Sequence, residues 1–249
     1  MPAEIQVYPD RDRLALATAE HFARSAAQHT AERGRFSVAL AGGSTPKAAY
    51  ALLASQDFAY LDWRRIHVFW GDERCVSPDH PDSNYRMARQ ALLDHVSIPA
   101  ENVHRLQGEI PPKLAAADYE QELYAFFAPK DALIPQPRTF DLVLLGMGDD
   151  GHTASLFPGS PGLQTTDHWV VAVEHNNPPP PLVTRLSLTL PAINAADQVI
   201  FLVAGAKKAV RLKQVLMPES GEPSLPAQLV QPISGQLNWL IDAQAAALL

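Results

Sequence analysis

The sequence predicts a doubly wound α/β fold with a mostly parallel sheet and helices on both faces. Three observations predict it. Short apolar, β-branched runs alternate with helix-length stretches along the chain. Two of the runs, 36–41 and 140–145, are apolar apart from Ser37 and Asp141, as strands covered on both faces are expected to be. Several runs end in glycine beside polar or charged residues, the composition of strand-to-loop junctions that face a ligand.

In chain order, strands are expected at 5–8, 36–41, 66–70, 140–145, 168–173, 183–190 and 198–203. Helices are expected at 11–33, 46–54, 83–95, 112–127, 207–216 and 237–248. Pro46 suits a first helical turn, where its fixed φ and missing N–H cost nothing. The 22 prolines punctuate loops, at 111–112, 135, 137, 158, 161 and the run 178–181, which reads as a rigid loop. There is no internal repeat and no flexible linker. One domain, Rossmann-like in layout and spanning 1–249, is therefore expected. At 249 residues a core can bury about 70–75% of the unfolded surface.

Composition excludes several function classes. Hydrophobic residues make up 47% and charged residues 19%, which is globular and not disordered. Lys plus Arg number 20 against 27 Asp plus Glu, a net charge of −7. That disfavours broad binding to nucleic acid or anionic membrane, so neither is expected as a partner. An anionic ligand would need a small site of placed donors. The longest apolar stretches are strand-sized, and the N-terminal MPAEIQVYPDRDRLA carries charge where a signal peptide's apolar core would sit. The expected location is cytoplasmic. Cys75 stands alone, so no intrachain disulfide can form. Its neighbourhood suggests packing, and it receives no catalytic role.

Three junctions carry chemistry. The first is AGGSTPK, where Gly42 and Gly43 allow a sharp turn and Ser44 and Thr45 set hydroxyls at a helix N-terminus. This is either an anion site or a tight turn with a capping hydroxyl. It matches neither a Walker loop nor a GxGxxG dinucleotide loop. The second is FWGDERCVSPDHPDSNY, where Asp72, Glu73 and Arg74 follow an apolar strand and a long loop closes at Asn84. A solvated charge run is the bland alternative. A long ordered loop at the binding edge favours function. The third is LGMGDDGHTASLFPGSP. Glycines at 146, 148 and 151 press the backbone close to something, and Asp149 and Asp150 precede His152. A neutral imidazole is the natural general base near neutral pH, and Asp150 is near enough to orient it. A metal reading through Asp149, Asp150, His152 and His80 lacks HExxH or paired-histidine spacing, so no metal is expected. No GxSxG nucleophile elbow occurs.

On these motifs, and on RLSLTLPAINAADQVIFLVAG, KAVRLKQVL and LPAQLVQPISGQLNWLIDAQAA further along, the chain resembles the 6-phosphogluconolactonases. Their superfamily also holds the glucosamine-6-phosphate deaminases. The resemblance runs over nearly the whole chain, and GDER together with DGHTASLFP is its most specific part.

The resemblance implies cofactor-free hydrolysis of 6-phospho-D-glucono-1,5-lactone to 6-phosphogluconate in the oxidative pentose phosphate pathway. It implies His152 as general base, Asp150 as its orienting partner, and Arg74 and Asp72 as catalytic neighbours. Gly42, Gly43, Ser44, Thr45, Arg185 and Lys208 would hold substrate and phosphate. The partner implied is the small-molecule lactone, and a monomer is expected. One departure is that the 178–184 region is slightly longer than the family's common pattern.

Two alternatives stay open. A deaminase carries a glutamate just before the proline that follows its DGH segment, where this chain has Phe157. A non-catalytic sugar-phosphate-binding module would normally serve an attached reader domain, and no basic recognition helix precedes the core.

Overall fold

The computed structural model describes residues 3–128, 138–175, 180–218, 220 and 224–249. Pro135, Pro137 and the first half of the 178–181 proline run lie outside them.

The chain opens with strand β1 (Glu4–Tyr8) and helix α1 (Arg11–Arg33). Asp10 caps α1 by accepting from the Arg13 N–H, and Gly34 ends it in the left-handed region that favours glycine. Strand β2 (Phe36–Leu40) follows, then α2 (Ser44–Leu53), β3 (Ile66–Trp70), β4 (Asp72–Arg74), α3 (Asn84–Ala91) and α4 (Pro112–Phe127). The second half holds β5 (Leu142–Gly146), β6 (Val170–Val173), β7 (Arg185–Leu188), the short α5 (Leu190–Asn194), β8 (Gln198–Val203), α6 (Ala209–Leu216) and β9 (Gln236–Asp242).

Six strands form one parallel sheet in the order β1-β9-β8-β5-β2-β3. Every residue of β2 is buried, so both faces of the sheet are covered there. The core is one contiguous cluster, with Phe36, Phe69, Phe140, Phe201 and Trp239 among its largest members. The order reverses between β2 and β5. β2 leads outward to β3, while β5 leads to β8 and β9 in the other direction. Such a switch point opens a crevice at the carboxyl ends of the strands.

Three expectations need correction. The stretch 237–248 is not a helix. Gln236–Asp242 is a strand between β1 and β8, and turns follow it. The alanines at 243, 245, 246 and 247 carry strong helix propensity, but Trp239, Leu240 and Ile241 bury themselves along β8, with Phe201 and Trp239 stacked at 3.9 Å. Tertiary pairing overrides local propensity here. The strands expected at 168–173 and 183–190 are shorter, and they lie outside the parallel sheet. β6 and β7 join β4 in an antiparallel three-stranded sheet of order β4-β7-β6. The charged segment expected as loop is thus a strand. It follows β3 after a single residue, Gly71, and so turns away from the main sheet.

Candidate active site

Four strand ends and the small sheet converge at the switch point. At the end of β2, the Tyr50 hydroxyl donates to the Ala41 carbonyl and accepts the Ala41 N–H, fixing the turn. At Gly42 a Cβ would lie 2.0 Å from Oδ1 of the buried Asn84 and would displace that side chain from its hydrogen bonds to Asp72. Gly43 precedes α2 with φ 101°, and no side chain caps that helix. The capping reading of Ser44 and Thr45 therefore fails. Both line a cleft of about 500 Å³ bordered also by Gly205, Lys207 and Lys208.

At the end of β3 the three charges divide. Glu73 is buried and accepts from the backbone N–H groups of Arg74, Asn84 and Tyr85, each at 2.7 Å, and from the Ser83 hydroxyl at 3.0 Å. It anchors the start of α3. Burial raises its carboxyl from the ordinary value despite these bonds. Asp72 accepts from the Ser155 hydroxyl at 2.6 Å and from Asn84 Nδ2 at 3.2 Å. Arg74 Nη1 donates to the Asp82 carbonyl at 2.5 Å, which pins the long loop. Burial pushes the neighbouring Cys75 thiol up to about 11, in keeping with packing.

Arg74 sits opposite Arg185 in the β4–β7 register. Arg185 is buried and donates to the Pro181 carbonyl at 2.9 Å. Among the described residues, the Nε of each arginine is buried without a hydrogen-bond partner. Burial and then the charge of Arg74 draw Arg185 below its ordinary value. Two adjacent guanidiniums with unspent donors form a strong attractor for an oxyanion.

At the end of β5 the backbone folds tightly around the histidine. The Gly148 N–H donates to the His152 carbonyl at 2.9 Å. A Cβ on Gly148 would lie 2.1 Å from His152 Nδ1 and 2.6 Å from Asp150 Oδ1. Gly151 takes φ 85° and Ala154 takes φ 48°, a left-handed conformation that a non-glycine residue rarely adopts. His152 Nδ1 lies 2.6 Å from Asp150 Oδ1. Burial would raise the Asp150 carboxyl, but the hydrogen bonds and charge of His152 outweigh it and hold the group at about 2. Asp150 is thus an anion near neutral pH, and it can only accept. Nδ1 must then carry the proton, and Nε2 is left as the basic nitrogen. The Phe157 ring lies 4.6 Å from the His152 ring and stacks on His175 at 4.1 Å.

His152, Arg74, Arg185, Lys208, Asp72 and Gly43 line a common cleft of about 290 Å³. Asp150 is not among its lining residues and sits behind the imidazole. Lys208, just past the end of β8, pairs with Asp149 at 2.5 Å. Ser44 and Thr45 border the adjoining cleft, which shares Gly42, Gly43, Asp149 and Lys208 with this one. Sequence reasoning missed Ser155, the Phe157 ring and the anchoring role of Glu73. Asn84 it marked only as a helix start. Among the described residues, the acid and histidine group spaced to hold a metal ion is His29, Asp141 and Asp197, which does not include His152.

Sheet order and cleft together define a doubly wound α/β protein with a small, cation-lined site at its switch point. The pattern of the family described as glucosamine-6-phosphate isomerases/6-phosphogluconolactonase matches residues 9–239. The chain belongs to this family. It is 45% identical over 248 residues to a 6-phosphogluconolactonase of Nostoc sp., covering 99% of this chain and 98% of that one. It is 49% identical over 216 residues to a 6-phosphogluconolactonase of Synechocystis sp., covering 86% and 85%. Among solved structures, a 6-phosphogluconolactonase from Trypanosoma brucei superposes with a TM-score of 0.87 at 30% identity, covering 99% and 98%.

Proposed function

We propose that this chain hydrolyses 6-phospho-D-glucono-1,5-lactone to 6-phosphogluconate in the oxidative pentose phosphate pathway, as a single-domain, monomeric, cytoplasmic enzyme spanning 1–249. The observation that carries the reading is the 2.6 Å His152–Asp150 contact, which leaves Nε2 as the basic nitrogen of a residue lining a cleft with three basic side chains. The named relatives act in the same sense.

In this reading His152 Nε2 takes a proton from water, and the hydroxide attacks the lactone carbonyl carbon. Asp150 holds the ring and stabilises the imidazolium. The tetrahedral oxyanion is met by Arg74 and by backbone N–H groups of the glycine loops. As the C–O bond to the ring oxygen breaks, the imidazolium returns its proton to that oxygen. Water is consumed and the new carboxylic acid ionises. No other reactant is required. The phosphate carries about −1.5 to −2 charge near neutral pH and needs placed cations on a protein of net charge −7. Lys208 and Arg185 supply them, with N–H and hydroxyl donors from Gly42, Gly43, Ser44 and Thr45. Asp72 already accepts two hydrogen bonds and acts by holding the site together.

The amino-sugar deaminase reading meets an obstacle at Phe157. An apolar ring packs against His152 where the sister enzymes carry an acid. The non-catalytic reading leaves the oriented histidine without a purpose. Parallel assays with the freshly generated lactone and with glucosamine 6-phosphate discriminate among the three. Turnover of the lactone alone is expected, and turnover of the amino sugar or of neither would overturn the proposal.

A further inference from the structure

The mechanism leaves one buried hydroxyl at the site unused. Ser155 follows His152 by three residues and is 0% exposed, so it cannot reach a ligand in the cleft. Its hydroxyl donates to Asp72 Oδ2 at 2.6 Å, and its N–H donates to the Ser187 hydroxyl at 3.1 Å. Asp72 and Ser187 are register partners in β4 and β7. These are the two strands that carry Arg74 and Arg185. The segment bearing His152 belongs instead to the β5 end of the main sheet, where the Thr153 hydroxyl donates to the Gly146 carbonyl at 3.0 Å. Between the two anchors lies Ala154 with φ 48°. A non-glycine residue keeps such a conformation only where its surroundings hold it.

We propose that Ser155 is a positioning residue that clamps the His152 segment to the small sheet. Through Asp72 and Ser187 it fixes the distance between the base on one sheet and the arginines on the other. Asp72 then serves as the joint of this clamp. Its second oxygen is held by Asn84 Nδ2 at 3.2 Å, which joins α3 to the same point. The inference rests on the reading of His152 as general base. It concerns a residue with no surface exposed in the cleft.

The test compares wild type with Ser155→Ala and Asp72→Asn, in lactone turnover and in the side-chain NMR resonances of His152. Ser155→Ala removes only the hydroxyl. It is expected to lower kcat by about 10- to 100-fold, as small misplacements of catalytic groups do, while KM stays within about threefold. The His152 resonances should shift or broaden, and those of the distant His29 should not. Asp72→Asn keeps an oxygen for the Ser155 hydroxyl and is expected to remain well above His152→Ala in kcat. Wild-type kcat in Ser155→Ala, or a lower kcat with His152 resonances unmoved, would overturn the clamp. So would an Asp72→Asn variant as inactive as His152→Ala. The NMR readout needs no turnover. If the wild type failed to hydrolyse the lactone, the functional reading would fall while the clamp would still be tested.

Discussion

His152 shows how much chemistry a few atoms of backbone can decide. Its Nδ1 is committed to Asp150 at 2.6 Å, and Gly148 lies so close that a methyl group would overlap the ring. A Gly148→Ala variant should therefore lose about 100-fold or more in kcat with its fold retained, because the imidazole must move out of register. Steady-state kinetics with circular dichroism would check this, and a variant of wild-type activity would contradict it. The glycines and the Asp150–His152 pair were legible in the sequence, since both partners lie within six residues. Glu73, Ser155 and Phe157 were not. Glu73 looks like one more charge in a polar run. It turns inward because the start of α3, some ten residues later, brings it three N–H and hydroxyl donors beyond its neighbour's. Nothing local encodes that meeting.

Among the elements, β2, β3, β5 and β8 announced themselves by predominantly apolar runs, and α1 spans the expected 11–33. The small antiparallel sheet did not, because β4 is three residues long and charged. β9 was hidden by the alanines that follow it. Its strand character depends on the open edge of β8, and Trp239 marks the dependence by stacking on Phe201 at 3.9 Å while 2% exposed. Trp239→Ala should destabilise the fold by about 3–5 kcal/mol, the usual cost of removing a large buried aromatic ring. Urea unfolding would measure it. A loss under about 1 kcal/mol would mean that β9 contributes little to the core.

Across the whole molecule, the two ends of the parallel sheet divide the work. The carboxyl ends carry the cleft, and the amino ends carry a structural ion cluster. There Arg33 bridges Asp141, at 2.6 Å, and Asp197. The Asp141 carboxylate also accepts the Ser37 N–H and hydroxyl, joining β2 to the start of β5. His29 donates from Nδ1 to the Ser25 carbonyl and turns Nε2 toward both carboxylates. The Asp197 carboxylate facing it at 3.7 Å raises its pKa from the ordinary value, against the opposing effects of burial and Arg33. A raised folded-state pKa gives stability that is complete below 6.5 and fades as pH climbs through the higher value. The stability advantage of wild type over His29→Gln should thus be largest near pH 5.5–6 and shrink toward pH 8. Chemical denaturation at several pH values would show it, and an advantage that grew with pH would contradict the assignment. Among the described residues, no helix is long and apolar enough to cross a membrane.

The central claim is that His152, oriented by Asp150, is the base of a lactone hydrolysis. It is tested most directly by following freshly generated 6-phosphogluconolactone, corrected for spontaneous opening, with wild type and with His152→Ala. The account predicts rapid hydrolysis by wild type and a kcat about 10²–10⁴-fold lower in the folded variant. Equal rates in the two proteins would remove His152 from the mechanism, and no acceleration by wild type would remove the reaction itself.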